Sequence, residues 1–256
     1  MNAQEQHPPG TFCWALLASD DPTGSRNFYN ELFGWQAPGN DLPTPLFAAG
    51  QHVAALDRLP PELEENGVPS QWRSFVCVDD VEDVARRAGE LGGTVLGEPR
   101  YMLDWGRAVP VFDPQGSPVA LWEPRELAGA DRTGVAGSTC WRELHAHDVD
   151  AAEAFYCELF GWKADRAEAA GVDYVTFSAA DGTEVAGLQQ QRPEWGDAPP
   201  TWLCYFGVES LKSETERLGE IGGRLVGGPL EHPRGEFAVA HDPQDAVFGL
   251  LELSRG

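Results

Sequence analysis

Hydrophobic and polar positions along the chain switch between a period of two and a period near 3.6, and the switches mark the elements. Thr11 to Ser19 (TFCWALLAS) is an apolar, strand-like run, and Asp20-Asp21-Pro22 after it supplies a cap and a first-turn proline. The pattern then predicts a helix that carries Phe28, Leu32 and Phe33 toward the core and stops at Gly34. Beyond a Pro- and Gly-rich stretch, Val53 to Leu56 (VAAL) and Ser74 to Val78 (SFVCV) are β-like. A second helix is predicted from about Val81 to Leu91, with Val81, Val84, Ala88 and Leu91 on one face and Gly92-Gly93 ending it. Two more strands follow, Ala108 to Phe112 and Pro118 to Trp122, joined by a DPQG turn.

The second half of the chain repeats this order. FYNELFGW from Phe28 recurs as FYCELFGW from Phe155, 127 residues on, and the same spacing carries Cys13-Trp14 onto Cys140-Trp141. LGGTVLGEP from Leu91 matches IGGRLVGGP from Ile221, and Asp113-Pro114-Gln115 matches Asp242-Pro243-Gln244. The spacing drifts by only a few residues, as small loop insertions would cause. Two modules are therefore expected, residues 1–127 and 138–256, each a β-α-β-β-β unit written twice. The Gly- and Ala-rich segment 128–137 reads as the linker.

Composition narrows the classes. At 256 residues and 42% hydrophobic, the chain is long enough for two cores. Eighteen basic against 41 acidic residues give a net charge of -23, which repels nucleic acid and anionic membrane surfaces. MNAQEQHPPG has neither a basic start nor an apolar run, and no stretch of about 18 apolar residues occurs anywhere, so a cytoplasmic protein without a membrane partner is expected. Five cysteines, an odd number with no C-x-x-C pair, read as buried free thiols.

The apolar strand, the Asp before FY-x-x-x-FGW, the strand-helix ending LGG and the DPQG turn before a final apolar strand resemble the vicinal-oxygen-chelate (VOC; glyoxalase/bleomycin-resistance/dioxygenase) superfamily. The resemblance spans nearly the whole chain twice, as in two-module, actinobacterial-type members. It implies an α+β fold of tandem βαβββ modules with open, curled mixed sheets around a ligand pocket. It also implies a divalent metal in many members, held by a His on the first strand, a His opening the fifth and a Glu near the end of the eighth, with a further acid on the fourth in glyoxalases. Counting from the shared motifs places those positions at Trp14, Arg73 and Ala120 in copy one and at Trp141, Leu203 and Gly249 in copy two. Indole only donates, guanidinium is a cation and the rest are inert. VAAL and VAGL (Val185 to Leu188), taken as the fourth strands, hold no acid. Glu123 and Glu252 are three residues beyond the final ligand position and so face the other side of the sheet. No metal and no other cofactor is expected.

Side chains alternate along a strand, so Glu143 and His145, two and four after Trp141, share its face. Their copy-one equivalents are Leu16 and Ala18. An acid and an imidazole two apart on one wall make a coupled general acid and base, while a structural ion pair explains the same two residues. Arg73 and Tyr205 are candidates to stabilise an oxyanion. Trp14, Trp141, Trp122, Phe75, Trp105 and His232 are candidate ligand contacts, Trp202 lies beside them, and Arg107, Arg234 and Glu236 fall in loops expected to overhang the pocket.

Three functions follow as expectations. The first is a cofactor-free lyase, cyclase or isomerase that moves protons on a small aromatic or polyketide-like metabolite in antibiotic biosynthesis, working as a monomer or homodimer. The second is a sequestering protein of the bleomycin-resistance type, for which an acidic chain suits a cationic drug. The third is a metal-dependent glyoxalase or dioxygenase.

Overall fold

A computed structural model describes residues 7–169, 172–192, 196 and 198–253. Of the opening segment MNAQEQHPPG, Met1 to Gln6 lie outside the described residues. Among those described, no helix is long and apolar enough to cross a membrane.

The chain is α+β and consists of four repeats. The first is β1 (Phe12–Ser19), α1 (Pro22–Phe33), β2 (Thr44–Ala48) and β3 (Gln51–Arg58), followed by the short helix α2 (Pro61–Glu65). The second is β4 (Gln71–Cys77), α3 (Val81–Glu90), β5 (Thr94–Val95), β6 (Arg100–Met102), β7 (Gly106–Phe112) and β8 (Pro118–Pro124). The third is β9 (Thr139–Ala146), α4 (Val149–Phe160), β10 (Lys163–Ala169), β11 (Val172–Ser178) and β12 (Glu184–Gln190). The fourth is β13 (Thr201–Val208), α5 (Leu211–Glu220), β14 (Arg224–His232), β15 (Gly235–His241) and β16 (Val247–Glu252).

Repeats three and four are complete βαβββ units. In repeat one the strand after the helix shrinks to a single bridge, Gln36 to Phe47, because Pro38 and Pro43 in that segment remove ladder donors. In repeat two the corresponding strand breaks into β5 and β6, with Gly97 at φ 81° and Pro99 between them.

The helix ends follow from the sequence. Asp21 accepts from the Gly24 N–H at 3.1 Å, and Asp148 from the Ala151 N–H at 3.0 Å. Gly34 and Gly161 close α1 and α4 in the left-handed conformation, at φ 71° and 69°. In α3, Val81, Ala85 and Ala88 are buried, whereas Val84 and Leu91 are only partly so. Of the five free thiols, Cys13, Cys77 and Cys204 are buried and Cys140 and Cys157 half-buried. Burial, with Asp79 nearby, pushes Cys77 up to about 11, which makes it a poor nucleophile.

Packing partitions the chain differently from the sequence repeat. One compact unit gathers the segment ending at Cys13 with Ser74–Gly129 and Arg142–Trp202; the other gathers Trp14–Arg73, Ala130–Trp141 and Leu203–Gly256. In unit one, β4-β8-β7-β5 and β10-β11-β12-β9 are hydrogen-bonded in those orders, and Val76, Val111, Leu121, Leu144, Tyr156 and Leu188 belong to one core with α3 and α4. In unit two the orders are β2-β3-β1 and β13-β16-β15-β14, and Leu17, Tyr29, Leu56, Trp72, Phe206 and Phe248 fill the core with α1 and α5.

Each core contains the same polar triad, and it gives the FY and DPQ motifs a structural meaning. In unit two, Tyr29 donates to Asp242 Oδ2 at 3.1 Å and accepts from Trp72 Nε1 at 2.8 Å. In unit one, Tyr156 donates to Asp113 Oδ2 at 3.2 Å and accepts from Trp202 Nε1 at 2.8 Å. Trp202 is thus a core residue on the helix side of its strand. It does not line the ligand face, because the alternation that turns Leu203 and Tyr205 one way turns Trp202 the other.

Candidate functional site

In unit one, β9 carries Glu143 and His145 at alternate positions, on the face away from Leu144 and Ala146, which join the helix-side core. Both are buried, at 0% and 1% exposure. Parallel pairing with β12 sets Gly187 beside Glu143 and Gln189 beside His145, and β11 then sets Tyr174 opposite Gln189. Three neighbouring strands therefore converge on one carboxylate. Tyr174 Oη donates to Glu143 Oε2 at 2.6 Å, Gln189 Nε2 donates to Oε1 at 2.6 Å, and His145 Nε2 lies 3.0 Å from Oε1. Two short hydrogen bonds hold the acid in position and offset the cost of its burial. The imidazole beside it lies within hydrogen-bond reach, the geometry that a general acid–base pair needs. Neither Tyr174 nor Gln189 is apparent from the motifs. The period-two run in β11 and the register of β12 are the signals that would find them.

In copy one the corresponding face lies in unit two and has different chemistry. Leu16 pairs with Ala55 and Ala18 with Asp57 along β1 and β3. The fourth strand runs past VAAL to Arg58 and does carry an acid, Asp57, which corrects the expectation of none. The motif window ended two residues too early. Asp57 and Arg73, near the start of β4, attract one another. Burial pushes the Arg73 guanidinium down from its ordinary value against the pull of Asp57, and burial raises Asp57. Trp14 is fully buried, its ring 6.2 Å from that of His52, whose backbone N–H donates to Asp131 at 2.9 Å. His52 escaped notice in the sequence because Gln51-His52 precedes the apolar run.

The remaining aromatic candidates fall into two groups. In unit one, Phe75 meets Trp122 edge-on at 5.9 Å, Trp122 Nε1 donates to the Leu127 carbonyl at 3.2 Å, and Trp105 sits in the β6–β7 turn. In unit two, Trp141, Leu203, Tyr205, Phe237 and Leu251 form an apolar cluster. The Tyr205 ring lies 5.8 Å from both His232 and Phe237, and the Arg234 guanidinium stacks 3.5 Å from the Trp141 ring centroid. His232 Nδ1 accepts from the Arg234 N–H at 3.1 Å. Glu236 is exposed. Arg107 does not overhang a ligand: it pairs with Glu82 and Glu123 near the start of α3, because β7 turns it to the helix side.

The structure permits a residue-by-residue test of the metal positions. Copy one offers indole, guanidinium and methyl groups at Trp14, Arg73 and Ala120, and copy two offers indole, isobutyl and hydrogen at Trp141, Leu203 and Gly249. A Cβ on Gly249 would fall 2.3 Å from Tyr205 Cδ1, so the tyrosine ring fills the space a ligand side chain there would need. Glu123 and Glu252 face the helices, where they accept from the Val81 N–H at 3.0 Å and the Leu211 N–H at 2.7 Å. The donor set does not fit the family's metal. Among the described residues, one trio of acids, Asp80, Glu82 and Glu123, lies close enough to share an ion, and Arg107 already neutralises two of its members.

Comparison with known proteins gives one family. The model of the Glyoxalase/Bleomycin resistance protein/Dioxygenase superfamily matches residues 11–121 and 142–250. CFP32 of Mycobacterium tuberculosis, which carries a provisional glyoxylase name, is 32% identical over 260 residues, covering 98% of both chains. The anthracycline biosynthesis protein DnrV of Streptomyces peucetius is 32% identical over 263 residues, covering 97% of this chain and 95% of its own. Among solved structures, the Mn(II)-bound glyoxalase of Novosphingobium aromaticivorans aligns over 95% of this chain and 82% of its own with a TM-score of 0.63, at 17% identity. That last likeness is one of fold.

Proposed function

Because the chain belongs to the glyoxalase/bleomycin resistance protein/dioxygenase superfamily, we propose that it is a metal-independent member that moves protons on a small aromatic or polyketide-like metabolite. The reaction is a dehydration, cyclisation or isomerisation. One observation carries the reading: the buried Glu143–His145 contact of 3.0 Å, braced by Tyr174 and Gln189 and present in one copy only. Glu143 and His145 exchange the proton with the substrate carbon or oxygen, and the network fixes their orientation before substrate arrives. The name of the Streptomyces peucetius relative supports an aromatic polyketide as the substrate class. Phe75, Trp105 and Trp122 in unit one, and Trp14, Trp141, Tyr205 and His232 in unit two, supply ring and polar contacts on their own faces.

A second reading, a sequestering protein, is favoured by the same network seen differently. Both oxygens of Glu143 are already engaged by protein donors, as in a carboxylate that shapes a binding wall without reacting. Alanine at Glu143 or His145 separates the two. On the proposed enzyme, ligand affinity stays within about threefold while turnover falls by about a hundredfold or more, the usual scale for a lost acid–base group. A ligand bound tightly with no turnover in the unaltered protein would establish the binder instead.

A further inference from the structure

At the fifth-strand position where the family resemblance expects a metal ligand, copy one holds a cation. Arg73 is half-buried near the start of β4, and among the described residues its side chain makes no hydrogen bond and no ion pair within 4.0 Å. The field of Asp57 reaches it, yet Asp57 Oδ1 is occupied by the Arg58 N–H at 2.8 Å. Taking a guanidinium partly out of water without satisfying its donors is costly, and burial lowers its pKa accordingly. Five N–H groups in a rigid fork match one partner best, a carboxylate held through two parallel bonds.

Apart from Asp57, the neighbouring positions on this face are apolar. Leu16, Ala18 and Ala55 occupy the same face of β1 and β3 as Asp57, all apolar and all buried. Copy two places Leu203 at the Arg73 position and Gln189 at that of Asp57, so the charged arrangement is confined to copy one. A bare anion would feel repulsion from Asp57. An acid with a hydroxyl beside its carboxylate turns that carboxylate into an acceptor.

We propose that Arg73 and Asp57 form a ligand site of their own in unit two, which takes a small hydroxy-aryl acid: the guanidinium clamps the carboxylate and Asp57 accepts the adjacent hydroxyl. The positive charge that a metal supplies in metal-bound relatives is here a fixed side chain. The site is independent of the proton-transfer reading, since it involves neither Glu143 nor His145.

The test titrates the full chain with 2-hydroxybenzoate and with its neutral amide, following binding by calorimetry and by the side-chain Nε–H resonance of Arg73. The acid should bind about tenfold tighter than the amide, as a charge-assisted pair implies. It should also shift the Arg73 resonance. Arg73→Leu, which installs the copy-two residue, should bring the acid down to the affinity of the amide, and Arg73→Lys should retain part of the difference. Equal binding of acid and amide, an absent acid interaction, or unchanged affinity in Arg73→Leu would each overturn the proposal. If Arg73→Leu fails to fold, the acid-to-amide ratio of the unaltered chain still decides it. No arm measures turnover, so a failure here leaves the Glu143–His145 reading standing, and the reverse.

Discussion

Replacing Gly249 by alanine is expected to destabilise the protein by about 3 kcal/mol, the upper end of ordinary overpacking costs. The usual sign is the opposite, since a β-carbon in a strand interior removes unfolded-state freedom and generally helps. Here the added carbon would meet Tyr205 at 2.3, 2.6 and 2.8 Å. Tyr205 is fully buried between His232 and Phe237, so its ring cannot swing aside cheaply. Denaturant unfolding of Gly249→Ala, Tyr205→Ala and the double variant would show strong coupling, the double variant being less destabilised than the sum of the singles. Additive effects would mean that the ring does not occupy that space. Gly249→Glu, which installs the acid of metal-binding relatives, should fail to give soluble folded protein, because it adds an unpaired buried charge to the same clash.

The second large effect is a pH dependence of stability centred on Asp242. Burial pushes its carboxyl up to about 6, against the pull of the Ala246 and Gln244 N–H groups and the Tyr29 hydroxyl. A folded-state value above the unfolded value of about 3.9 means that the protonated form is favoured by folding. The contribution is therefore complete below about pH 4 and is lost as pH rises through about 6. With Asp242 2% exposed, the shift corresponds to about 3 kcal/mol between pH 4 and 7. Asp242→Asn resembles the protonated acid and should lack this dependence. Unfolding midpoints at pH 4 and 7 for both proteins check it: the unaltered chain should lose ground to the variant as pH rises. A constant difference between them would remove Asp242 as the source.

Much of the fold could be read from local pattern because the relevant forces are local. The caps at Asp21 and Asp148, the left-handed glycines 34 and 161 and the parity of β9 depend on residues a few positions apart. The triads were not legible for the opposite reason. Tyr29 finds Asp242 from the far end of the chain, and nothing in either motif names the other. The repeat and the hydrogen-bonded sheets divide the chain by copy, whereas packing joins repeat one to repeat four and repeat two to repeat three. The candidate site follows the same rule. Glu143 and His145 emerge from alternation within one strand, but Tyr174 and Gln189 reach them only through the registers of β11 and β12. Asp57 was lost to a strand boundary two residues off, where Asp57-Arg58 reads as polar and thus as the end of the strand. Trp202 was set beside the ligand contacts for its aromatic ring alone, whereas alternation with Leu203 and Tyr205 turns it to the helix side, where it bonds Tyr156.

The proposed function requires Glu143 and His145 to move a proton without a metal. The most direct measurement is solvent-deuterium incorporation into a bound aromatic polyketide ketone, followed by NMR on chelator-treated protein beside His145→Ala. Incorporation should survive chelation unchanged in the unaltered chain and fall to the uncatalysed rate in His145→Ala. Incorporation that vanishes on chelation and returns with added divalent metal, or that persists in His145→Ala, would contradict it.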